Sequence, residues 1–215
     1  MSVAITQWVQ RIGPGLKFCP NPLIKQETID VLRDFCARTR LWYERLADIT
    51  IVAGTESYPL TSTSGDIASA RRVEVNGIAI DPADERTLDR EHAKWRTQQG
   101  EVWAYYIGQD RTLHLVYTPA NAGTLSVWVN LMPALTATTV QGFLFNDHRD
   151  VITLGAKARL LAHPNRPWSN PSAAEVYRQQ YEDKVDEIKA DAGLAHTPAT
   201  RRQTLRSRAS AFTYF

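Results

Sequence analysis

The chain has 215 residues, 43% of them hydrophobic and 22% charged, with a formal net charge of +2. That length supports one domain of moderate size or two small ones, with a core that needs no disulfide or metal to close. The small net charge argues against a protein that coats nucleic acid, because such affinity rests on a large basic excess. The only two cysteines, Cys19 and Cys36, lack CxxC spacing and paired histidines, so they read as small buried hydrophobes. Residues 1–8 show no basic start followed by a long apolar run, and no segment reaches the ~20 apolar residues that span a bilayer. A chain made in the cytoplasm, without a membrane partner, is therefore expected.

Residues 2–12 read as a short helix, broken by Gly13-Pro14-Gly15. Cys19-Pro20-Asn21-Pro22 is a stiff, extended link, since proline fixes its own φ and restrains its predecessor. A longer helix is predicted over 23–46, where Ile29, Leu32, Cys36, Thr39, Tyr43 and Leu46 recur at three- and four-residue steps. Val31, Phe35 and Trp42 widen that stripe to a second face. Such a helix packs on more than one neighbour, either within a multi-helix core or at an interface between subunits.

From residue 48 to 132 the apolar period becomes two. Short strands are expected at 49–51 and 57–60, then at 72–75 and 78–80 around Asn76-Gly77, which suits a type I′ turn. A short helix is expected over 83–90, followed by strands at 103–107, 112–118 and 124–131 in an antiparallel meander. Helical periodicity returns over 147–162, and again after Pro167, where Asn170 is a good N-cap and Pro171 suits the first helical position. The second of these helices ends at Gly193, and the short break before it predicts an antiparallel helical hairpin.

The expected fold class is α+β. N-terminal helices (1–47) and a C-terminal hairpin (136–193) form a helical bundle, around a central antiparallel β-rich domain (48–135) built as a small sheet, sandwich or barrel. The remainder, 194–215, is an extended arm holding Arg201, Arg202, Arg206 and Arg208, with no acidic side chain beside them, and ending in Phe212, Tyr214 and Phe215.

Signatures of catalysis are missing. There is no phosphate-cradling GxxxxGK[ST] loop, no GxGxxG and no GxSxG elbow. The five histidines are scattered, with no HExxH pair to hold a metal. The polar cluster 146–150 reads as a helix start, and Glu74, Asp81, Asp84, Glu85 and Glu91 read as solvated loop acids. No catalytic, cofactor or metal residue is assigned. The aromatic residues Trp103, Tyr105, Tyr117 and Trp128 fall in strands, where cross-strand packing accounts for them.

Several stretches together resemble the head-to-tail adaptor (head-completion) proteins of short-tailed phages. The opening Thr6-Gln7-Trp8-Val9-Gln10, Cys19-Pro20, Pro22-Leu23-Ile24-Lys25-Gln26 and Asp34-Phe35-Cys36-Ala37-Arg38 is similar to the two Pro-linked helices that start that family. Tyr58-Pro59-Leu60, Arg72-Val73-Glu74-Val75-Asn76-Gly77 and Leu113-His114-Leu115-Val116-Tyr117 resemble its β-rich middle, and Pro167-Trp168-Ser169-Asn170-Pro171 resembles its closing helix pair. The resemblance implies a non-enzymatic virion protein, made in the host cytoplasm, that forms a ring of twelve copies under the portal. The tail nozzle or tube would sit below, with genomic double-stranded DNA passing through the lumen. Val31, Phe35 and Trp42 are the expected contacts between subunits. Arg201, Arg202, Arg206, Arg208, Phe212, Tyr214 and Phe215 are the expected contacts to portal. Two other classes stay open on sequence grounds: a virion-associated cell-wall hydrolase using a carboxylate pair, and a nucleic-acid-binding module built on the basic arm.

Overall fold

A computed structural model describes residues 2–92, 94–108 and 111–193. Among them the chain is mixed α+β, with five α-helices and a curled β-sheet. The helices are α1 (Ile5–Ile12), α2 (Asn21–Thr39), α3 (Glu85–Glu91), α4 (Gly142–Ala162) and α5 (Pro171–Gly193).

Helix α1 buries Ile5, Trp8 and Ile12, one stripe at steps of three and four. A 3-10 turn over Gly13–Gly15 follows it. Helix α2 starts at the Pro20-Asn21-Pro22 link and buries Ile24, Val31, Leu32, Phe35 and Cys36. Two threonines share that interior without leaving a hydroxyl unsatisfied. Thr28 Oγ1 donates to the Ile24 carbonyl at 2.7 Å, and Thr39 Oγ1 to that of Phe35 at 2.8 Å.

The predicted helix over 23–46 stops early. Arg40 takes a left-handed φ of 55°, and its N–H closes the helix on the Cys36 carbonyl at 2.9 Å. Trp42 therefore lies beyond the helix, and Tyr43, expected on its stripe, begins a strand. At the other end of the chain, α4 begins at Gly142, five residues before the expected start, so Asp147 and Asp150 sit within the helix rather than at its first turn. The Asn170 cap is as expected: its Oδ1 accepts the Ala173 N–H at 3.1 Å. Helices α1, α2, α4 and α5 pack on one another, with Tyr181 and Val185 of α5 buried against α2 and α4.

The strands are β1 (Ser2–Ala4), β2 (Tyr43–Arg45), β3 (Ile49–Ile51), β4 (Ser57–Pro59), β5 (Asp66–Val75), β6 (Ile78–Pro82), β7 (Gln99–Gly100), β8 (Ala104–Ile107), β9 (Thr112–Val116), β10 (Thr118–Pro119), β11 (Gly123–Met132) and β12 (Thr139–Gln141). The main sheet runs β2-β11-β5-β6-β8-β9-β4, with β3 also on β11. β11 pairs with β5 along most of its length, setting Leu125 opposite Val75 and Val127 opposite Val73. Irregularities in that register between Trp128 and Val129, and between Asn130 and Leu131, bend the pair.

The Asn-Gly turn forms as expected, with Asn76 at φ 51° and Gly77 at 81°, and Asn76 Oδ1 accepts the Thr124 N–H at 2.8 Å. The sheet is not the pure antiparallel meander that alternation predicts, because β6 and β8 run parallel. The connection between them carries α3, whose Leu88 joins Trp95, Ala104 and Val116 in a small core of its own. The main core is continuous from the helices (Trp8, Phe35, Leu144, Ile152) into the sheet (Val73, Leu125, Val127, Leu131).

Candidate interaction surfaces

The three residues expected between subunits lie inside the chain itself. Val31, Phe35 and Trp42 are 1%, 0% and 7% exposed. Val31 faces Gly155 so closely that a Cβ there would come within 2.7 Å of it. The Phe35 ring stands 5.1 Å from that of His148. Trp42 packs beside Gly65 and its carbonyl accepts the Leu131 N–H at 2.8 Å. The second apolar face of α2 is thus filled by α4, α5 and the sheet. The seven positions expected to contact portal, between Arg201 and Phe215, lie outside the described residues.

A polar knot joins α2 to α5. Arg38 donates from Nη2 to Glu182 at 2.6 Å and lies 3.6 Å from Asp34 and 3.7 Å from Asp186. The Tyr181 hydroxyl donates to Asp34 at 2.7 Å. Burial, then the hydrogen bond to Asp34 and its charge, push the Tyr181 phenol far above its ordinary range. The hydrogen bond from Arg38 holds Glu182 below the usual carboxylate value. Beside the knot, a cavity of 390 Å³ opens between α4 and α5. Farther along α2, Glu27 meets His163 Nε2 at 3.0 Å and Arg159 at 4.0 Å. Burial alone raises the Cys36 thiol to about 12, so it is inert as a nucleophile.

A larger groove, 620 Å³, lies where α2 ends against the sheet and the last turns of α5. Arg40, Tyr43, Arg71, Asn130 and Lys189 line it. The Arg71 guanidinium stacks 4.2 Å from the Tyr43 ring centroid and donates to the Arg40 carbonyl at 3.3 Å. Among the described residues no carboxylate pairs with Arg40, Arg71 or Lys189. Asn130, 1% exposed, gives Nδ2 to Ser69 at 2.9 Å, while its Oδ1 has no partner. Residue spacing could not show this groove, because its walls come from positions 40, 71, 130 and 189.

A third surface surrounds the Asn76-Gly77 turn, where Ile78 and Val52 are exposed beside a 320 Å³ cavity. Two of the acids weighed for catalysis have separate structural duties: Asp84 caps α3 and Glu74 meets Arg72 at 2.5 Å. Asp150, from the 146–150 cluster, pairs with Arg11. Among the described residues no group of His, Cys, Asp and Glu is placed to hold a metal ion, and no helix is long and apolar enough to cross a membrane.

The family model described as SU10 adaptor protein matches residues 6–206, taking in α2 to α5, all of α1 but Ile5, and all but the first strand. No curated protein matches the chain.

Proposed function

The chain belongs to the SU10 adaptor protein family, and from that premise we propose that it is a non-enzymatic structural subunit of a phage virion, joining the portal of the DNA-filled head to the tail. The family match over 6–206 carries this reading, because it spans helices and sheet together rather than one motif. The virion is of the short-tailed kind. The subunits close into a ring, twelve to the turn, with the tail nozzle or tube below and the genome passing through the lumen without sequence-specific binding. A near-balance of 25 basic and 23 acidic residues suits a lumen that must let DNA slide.

In this arrangement α1, α2, α4 and α5 work as one helical bundle, with α4 and α5 as its closing hairpin, and the curled sheet is a second working region. A ring of head-to-tail contacts needs two different faces on each subunit. Val31, Phe35 and Trp42 serve it indirectly, by holding together the elements whose outer surfaces meet neighbours. The arm supplies the portal contact, with Arg201, Arg202, Arg206 and Arg208 on an acidic portal surface and Phe212, Tyr214 and Phe215 in apolar pockets.

Infection with phage lacking this chain is expected to yield DNA-containing heads and no tailed, infectious particles. Normal tailed particles would rule the adaptor role out. Deleting 205–215 is expected to weaken portal binding at least about tenfold with an unchanged melting temperature. Undiminished binding removes the arm from the portal contact.

A further inference from the structure

We infer that the groove lined by Arg40, Tyr43, Arg71, Asn130 and Lys189 receives the acidic flank of α5 from a second copy of this chain. The inference rests on the ring reading and gives it a specific contact.

Two features of the groove call for an anionic occupant. Arg40, Arg71 and Lys189 line one cavity, are exposed, and pair with no carboxylate among the described residues. Arg71 is held in place by the Tyr43 ring at 4.2 Å and by the Arg40 carbonyl, so its charge is pre-positioned.

The same chain carries a matching surface. Asp183, Glu187 and Asp191 recur every four residues on α5, and all three are exposed. Lys184 is shared with Glu187 at 2.6 Å and Gln179 with Asp183 at 2.8 Å, which leaves the stripe net negative and provides donors beside it. At about 100° per residue, this stripe and the groove residues Lys189 and Ala192 point to opposite sides of α5. A subunit cannot fold its own stripe into its own groove. One copy can present the stripe to the next copy's groove, and the step repeats. That is the heterologous contact from which closed rings are built.

A long polyanion fits the groove less well. Glu182 and Asp186 gather around Arg38 at its edge, and Asp186 is 73% exposed, so a continuous phosphate backbone would meet repulsion there. Acids spaced one helical turn apart can avoid it.

A charge exchange on the full chain tests the inference. One variant carries Arg71→Glu and Lys189→Glu. The other carries Asp183→Lys, Glu187→Lys and Asp191→Lys. Ring assembly is read by sedimentation and electron microscopy, with portal present, and thermal melting verifies the fold of each variant. Wild type is expected to form rings that weaken as salt rises. Each folded variant alone is expected to lose assembly at least about tenfold, through like charges brought together. An equimolar mixture should restore it in rings that alternate the two variants, because the two altered faces are opposite in charge and so are the two unaltered ones. Rings from either variant alone, or no recovery on mixing, overturn the groove contact and leave the ring reading standing. Wild type that never assembles overturns both. Double-stranded DNA binding that Arg71→Glu abolishes, with rings intact, reassigns the groove to nucleic acid.

Discussion

Across the helices, side chains make the joins between distant parts of the chain. Arg38 reaches Glu182, Tyr181 reaches Asp34, His163 reaches Glu27, and Arg11 reaches Asp150. In the sheet the backbone ladder makes the joins, and side-chain contacts there sit beside strands already paired. Asn130 bonds Ser69, its own register partner on β5, and Asn76 bonds the backbone of β11. Each helix satisfies its backbone internally, so only side-chain packing can fix it against its neighbours. The helical region should therefore be sensitive to side-chain volume, and the sheet to the turns and bulges that set its register.

The largest expected effect is on the helical side. Phe35→Ala, at a fully buried site between α2 and α4, should lower stability by about 3–5 kcal/mol in denaturant unfolding. A loss under 1 kcal/mol would mean that the helices are loosely packed, and the contrast would fail.

Overfilling the same region should come next. A Cβ at Gly155 would meet Val31 at 2.7 Å and the Tyr181 ring at 2.9 Å. Gly155→Val should therefore cost about 1–3 kcal/mol despite removing a helical glycine. A stabilised variant would show that α4 and α5 can separate freely.

On the sheet side, Asn76→Ala keeps almost all buried volume yet loses a left-handed turn residue and the acceptor for the Thr124 N–H. About 1–2 kcal/mol is expected from thermal melting. No change would mean that β5 and β6 keep register without their turn.

The smallest effect separates the regions by pH. The Tyr181 phenol is raised above its ordinary 10.0 by burial and by Asp34. Its contribution is therefore complete below about pH 10 and is lost as pH rises further. Tyr181→Phe should be less stable than wild type at pH 7 by about 1 kcal/mol. It should also lose less of its stability than wild type above pH 10. Parallel alkaline losses in the two proteins would remove Tyr181 from the account.

Local rules made some elements legible in the sequence. Asn76-Gly77 and Asn170-Pro171 carry their own conformational signals, and both sit where those signals place them. The end of α2 carried none. It turns on an arginine in a left-handed conformation where glycine is usual, and the apolar spacing happens to continue through Tyr43 and Leu46. The start of α4 was hidden similarly, since Gln141 makes no side-chain cap. The parallel pairing of β6 with β8 depends on how the chain crosses through α3, which alternation does not encode. For Val31, Phe35 and Trp42, an apolar face reads the same whether it meets its own chain or another, and only the packed structure shows it filled. The groove is the converse: its cations are unremarkable in sequence and meet only in three dimensions.

Electron microscopy of the purified full chain mixed with its portal tests the central claim most directly. Closed rings capping the portal on one axis, each built from repeated copies of this chain, are the predicted result. Monomers that leave the portal bare, at concentrations well above those of virion assembly, would contradict it.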